Sequence, residues 1–170
     1  MTFWSKVLKK TAPARPERAV YEAIVASARR PFLYADLGVP DTVAGRFDMI
    51  ALHAFLVLER VKEAEPRFAQ ALTDEIFRDM DRSLREMGVG DLSVGKKVRA
   101  MAEIFYGRIA AYRNDIEDPE RLTETLVRNV WSGDSDGGKA LELASFARQQ
   151  RDHLSAQSPA NIAAGQIRLP

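Results

Sequence analysis

Apolar residues recur at three- and four-residue spacing along almost the whole chain, and no run of useful length alternates. That period fits helices and excludes a sheet protein. The expectation is all-α, a single compact domain of about six or seven helices. A chain of 170 residues is one domain's worth and is long enough to bury a core.

Proline and glycine punctuate the pattern. Pro16 suits a first helical position, with Val20, Ile24, Val25 and Ala28 as the inward stripe and Pro31 ending the helix. Residues 31–45 read as a long loop holding Gly38, Pro40 and Gly45, with Asp41 or Thr42 able to cap the next helix. A helix over 43–65 is apolar on most sides, which is the pattern of a central helix. A helix over 66–87 has Phe68, Leu72, Ile76, Met80, Leu84 and Met87 on one face and Gly88 as its stop. Residues 88–95 read as a second loop, with Ser93 capping a helix whose stripe holds Val98, Phe105, Ile109 and Tyr112. Asp118-Pro119 opens a short helix, 134–138 is a polar linker, and a last helix spans about 138–153. The division is an amphipathic segment and linker over 1–15, a helical domain over 16–154, and a flexible tail over 155–170.

With no cysteine, disulfides, thiol nucleophiles and iron–sulfur ligation are excluded, and the cytosol is the default compartment. Net charge is +1, so nucleic acid as a primary ligand has no global electrostatic support. The charge is uneven: residues 1–30 carry seven Lys and Arg against two Glu. The longest mostly apolar run, 49–58, is half of what a membrane span needs. In the first ten residues Phe3, Trp4, Val7 and Leu8 share a helical face flanked by Lys6, Lys9 and Lys10. That pattern fits either a membrane interface or a terminal helix docking Trp4 on the core.

Candidate chemistry is sparse. Gly90-Asp-Leu-Ser-Val-Gly95-Lys96-Lys97 approaches a phosphate-binding loop, but Lys97 stands where Ser or Thr must bind magnesium, and no strand precedes it. Asp74, Glu75, Asp79, Asp81 and Glu86 interleave with Arg78, Arg82 and Arg85 as an ion-pair lattice rather than a metal face. His53, alone in the most apolar segment, reads as a core histidine or as a polar contact beneath a partner groove. Arg46 and Asp48, with Asp41 and Thr42, form a polar cluster at the start of the central helix that serves either capping or partner anchoring. No catalytic residue, cofactor or metal ligand is assigned.

Four blocks in order carry a resemblance: Tyr34-Ala-Asp-Leu-Gly-Val-Pro-Asp-Thr42; Gly45-Arg-Phe-Asp-Met-Ile50 with Leu52-His53; Asp79-Met-Asp-Arg-Ser-Leu-Arg-Glu-Met-Gly-Val-Gly-Asp-Leu-Ser-Val-Gly95-Lys96; and Phe105-Tyr-Gly-Arg108. Over about 21–129 the chain resembles the ubiquinol–cytochrome c chaperone family, in its bacterial form. The resemblance implies a non-enzymatic assembly factor of the cytochrome bc1 complex that binds cytochrome b or another nascent subunit. Mitochondrial members act with a small partner protein near the ribosome exit. The start of this chain does not read as a mitochondrial presequence, so those two partners carry over less well. The blocks place Asp41, Thr42, Arg46, Asp48, Asp81, Arg85, Asp91, Ser93 and Lys96 among surface or loop-anchoring positions. With His53 they are the expected partner-binding residues. The expected location is cytoplasmic, peripheral on the inner face of the membrane. The competing reading is a small helical ligand-binding protein or enzyme using the 88–97 turn or His53.

Overall fold

The computed structural model describes residues 15–133 and 137–170. Among them are eight helices: α1 Pro16–Ala28, α2 Pro31–Ala35, α3 Val43–Val61, α4 Pro66–Glu86, α5 Asp91–Asp115, α6 Pro119–Val130, α7 Gly137–Ser155 and α8 Pro159–Ala163. Six are long, α2 and α8 are single short turns, and the described residues contain no strand. The all-α expectation holds.

The starts reflect local chemistry. Five of the helices open with proline in the first turn, where its missing N–H costs no hydrogen bond. Thr42 caps α3 by accepting from the Gly45 amide at 3.1 Å, and Asp118 caps α6 by accepting from Glu120 and Arg121. Gly88, at a φ of +85°, ends α4: its amide donates to Arg85 and the Val89 amide reaches back to Leu84.

α3 is the axis. Met49, Leu52, Phe55 and Val57 are buried on several of its sides, and it packs against α1, α4, α5, α6, α7 and α8. α4 lies outside it, with Leu72 and Ile76 facing inward. The α1–α4, α4–α5, α5–α6 and α6–α7 contacts run round the axis, and α8 packs on α1 and α3.

Three sequence expectations are corrected. The stretch 31–45 is not all loop. Pro31 starts α2, which buries Leu33, and Phe32 meets the Phe146 ring edge-on at 5.2 Å. α5 begins at Asp91 with Gly90 at its N-cap, so Ser93 is an exposed residue of the first turn and caps nothing. The tail is not loose: α8 buries Ile162, and Ile167 and Leu169 pack on the core. Its apolar residues are too sparse to show a period. Polar contacts hold it instead: Arg60 donates to the carbonyls of Leu154 and Gln157, and Gln157 brackets Arg168 through two hydrogen bonds.

The acidic face of α4 is also less solvated than its sequence suggests. Glu75 is only 1% exposed, held by Arg15, Arg18 and Arg78. Burial pushes its carboxyl up, but the Arg18 hydrogen bond and the surrounding positive charge outweigh this and leave it below its ordinary value. Arg82 pairs with Asp79 rather than Glu86, and Tyr21 donates to Asp79 at 2.7 Å. The contacts of Arg18 with Glu75 and of Tyr21 with Asp79 fasten α1 to α4. Among the described residues no cluster of His, Asp or Glu has metal-holding geometry.

Candidate partner-binding surfaces

The polar cluster at the start of α3 divides into three roles. Thr42 is the cap. Asp41 and Arg46 pair at 2.7 Å, both exposed, on the rim of an open cleft of about 590 Å³ that Arg29 and Tyr34 also line. The Arg46 hydrogen bond holds the Asp41 carboxyl below its ordinary value. Asp48 turns inward instead, so neither sequence reading of it is right. It is buried and accepts from Arg108 Nε at 3.0 Å. Arg108 then donates to Asn129 twice, to Oδ1 at 2.5 Å and to the main-chain carbonyl at 3.0 Å. One guanidinium thus joins α3, α5 and α6. Burial raises the Asp48 pKa against the lowering effect of Arg108. Arg108 and Asn129 went unrecognised in the sequence. The available signal was a lone arginine in the apolar stripe of Phe105, Ile109 and Tyr112, complementary to a lone aspartate in the most apolar helix.

His53 is a core residue, 1% exposed, with its ring 5.8 Å from that of Phe146. Its Nδ1 lies 2.8 Å from the Met49 carbonyl, which only accepts, so Nδ1 carries the proton. Nε2 has no partner among the described residues. Burial drives the imidazole pKa down to about 4. Its folded value therefore lies below the ordinary 6.5. Stability is undiminished above about pH 6.5 and falls as the unfolded chain takes up a proton that the folded core refuses. From pH 7.5 to 5 the unfolding free energy is expected to drop by about 2 kcal/mol through this residue. His53→Met should flatten that slope in urea unfolding measured across the range; an unchanged slope would refute the assignment. With its ring sealed in the core, His53 cannot line an open partner groove.

Asp81, Arg85, Asp91, Ser93 and Lys96 gather at the far end of the α4–α5 hairpin. Arg85 donates to Asp81 at 2.7 Å and also pairs with Asp91. Lys96 is exposed on α5. Residues 91–97 are helical, so the glycine-rich segment makes no phosphate cradle; the turn is only the four residues 87–90. The expected partner-binding residues therefore occupy two separate places rather than one.

A third surface carries none of them. A groove of about 450 Å³ runs between the end of α3, the start of α4 and the middle of α5. Leu58, Ala69, Phe105, Ile109 and Ala110 give it an apolar floor, with Tyr106 at its side. On its rim Glu59 takes two hydrogen bonds from Arg113, at 2.8 and 2.6 Å, and one from Lys62 at 2.8 Å. Periodicity marks these apolar residues as core, and sequence cannot tell a covered stripe from one left open. Phe3, Trp4, Lys6, Lys9 and Lys10 lie outside the described residues.

These features define an all-helical scaffold whose buried charges tie helices together and whose clefts are open to the surface. The chain belongs to the ubiquinol–cytochrome c chaperone family, whose model matches residues 35–169. The match runs through the tail, beyond the 21–129 span of the four blocks. Ubiquinol-cytochrome-c reductase complex assembly factor 1 of Xenopus laevis is 28% identical over 121 residues, 68% of this chain and 60% of that protein. Its Mus musculus counterpart is 26% identical over 126 residues, 71% of this chain and 42% of that protein. The chain thus spans about half the length of these relatives. The crystal structure of the Cbp3 homolog from Brucella abortus superposes with a TM-score of 0.83 at 40% identity, covering 95% of this chain and 92% of the other.

Proposed function

We propose that this chain is an assembly chaperone of the ubiquinol–cytochrome c reductase (bc1) complex, binding cytochrome b or another subunit while the complex is built. The family match over residues 35–169 carries the reading. The α3–α4–α5 groove suits it: an apolar floor and a self-paired polar rim can receive an apolar or amphipathic client segment without a nucleophile or cofactor. Asp41, Arg46 and Lys96 are exposed positions for client or partner contact. We place the protein in the cytoplasm of a bacterium, peripheral on the inner face of the membrane, with Phe3, Trp4 and the nearby lysines at the lipid surface. No described helix is long and apolar enough to cross a membrane.

The test is deletion of the gene in its host, reading assembled bc1 by native gel and haem-b spectrum. The expected result is loss of the complex with other membrane complexes intact, restored by the wild-type chain and not by Tyr106→Glu, which puts charge on the groove without entering the core. Unchanged bc1 in a host with no second copy would overturn the proposal.

A further inference from the structure

The far end of the α4–α5 hairpin stands clear of the rest of the molecule. From Arg85 to Ala100 Val94 alone is buried, and Val89 and Val98 are half-buried. Leu84 and Val94 are buried there, outside the main core cluster. At the end of this extension two large apolar side chains face solvent: Met87 is 55% exposed and Leu92 is 103% exposed, the most exposed large apolar residue described. Leu92, Lys96 and Arg99 follow at i, i+4 and i+7, so they share one helix face. Lys97 is exposed too, on the flank of the helix next to that face. Lys96, Lys97 and Arg99 have no side-chain partner among the described residues. Of the three acids at this end, Asp81 and Asp91 are already paired with Arg85, and Glu86 remains.

We propose that this hairpin end is a membrane contact, in which Leu92 and Met87 enter the headgroup region of an anionic bilayer while Lys96, Lys97 and Arg99 meet lipid phosphates. Two apolar side chains on a projecting turn are too few for the core of a stable protein interface, which needs about 800 Å² from each side. They are what a shallow interfacial wedge requires. Unpaired cations beside the wedge supply the attraction to negative lipid. An RNA or acidic protein would use the cations and leave Leu92 idle. This inference adds a second lipid contact to the proposed function, distinct from the first ten residues. It is tested without the bc1 complex, so either reading can fail alone.

The experiment is sedimentation of the full chain with vesicles of phosphatidylcholine alone or with 30% phosphatidylglycerol. Binding is expected only with the anionic lipid. Lys96→Glu with Lys97→Glu should weaken it at least about 25-fold, each cation being worth about fivefold. Leu92→Asp should weaken it about tenfold. Because the chain has no cysteine, Leu92→Cys can carry an environment-sensitive dye that should shift to the blue on anionic vesicles. Leu141→Cys, exposed on α7, should not shift. Undiminished binding by Leu92→Asp, or loss only on Trp4→Glu with Lys9→Glu, would overturn the proposal. So would lysine dependence with no dye shift at position 92, the result expected of a nucleic-acid or protein site.

Discussion

Arg108→Ala is expected to lower the unfolding free energy by about 3 kcal/mol, read as a fall in the urea midpoint at unchanged m-value. The guanidinium is the shared partner of the buried Asp48 carboxylate and of Asn129. Truncation leaves a charge in the core with nothing opposite it. Removing one member of such a pair costs more than the pair itself contributes, because desolvation remains after the attraction has gone. The double replacement Asp48→Leu with Arg108→Leu should therefore be more stable than Arg108→Ala alone. If the double variant is the weaker, the bond contributes directly and the desolvation argument fails.

The second large effect concerns a methyl group. Gly45→Ala should cost about 3 kcal/mol, since the new Cβ would sit well inside contact distance of the Pro40 carbonyl oxygen, a main-chain atom that cannot rotate away. The same helical turn holds the Thr42 cap, so the clash also displaces that hydrogen bond. Gly107→Ala is the counterpart. A Cβ there meets nothing within 4 Å, in the middle of α5, and alanine should stabilise by about 0.5–1 kcal/mol through helix propensity. Thermal unfolding of the two variants should move in opposite directions; movement in the same direction would refute the packing at Gly45.

Sequence made the helical order legible wherever a period was reinforced by a stop. α3 and α4 appear nearly where Pro66 and Gly88 place them, and α6 begins where Asp118-Pro119 requires. What escaped was context. Ser93 and Gly90 both suit an N-cap, and only the geometry of the Gly88 turn decides between them. Ile162, Ile167 and Leu169 are too widely spaced to form a stripe, yet each finds the core because α1 and α3 leave room. Asp48 looked like a residue for a helix start because its partner lies sixty positions away. The family blocks were readable as blocks, but not that the second and fourth meet through a single hydrogen bond between Asp48 and Arg108. The open groove was hidden for the opposite reason: its floor has the composition of a core.

The docked tail sets the order in which the molecule is completed. Ser27 in α1 donates to the carbonyl of Pro170, and α8 rests on α1 and α3. α1 thus acquires part of its cover from a residue 143 positions further along the chain. Contacts so distant in sequence close late. Until the 159–170 segment has emerged, the nascent domain holds α1 and α3 with an uncovered apolar seam, and its packing is completed only once that segment is free to dock.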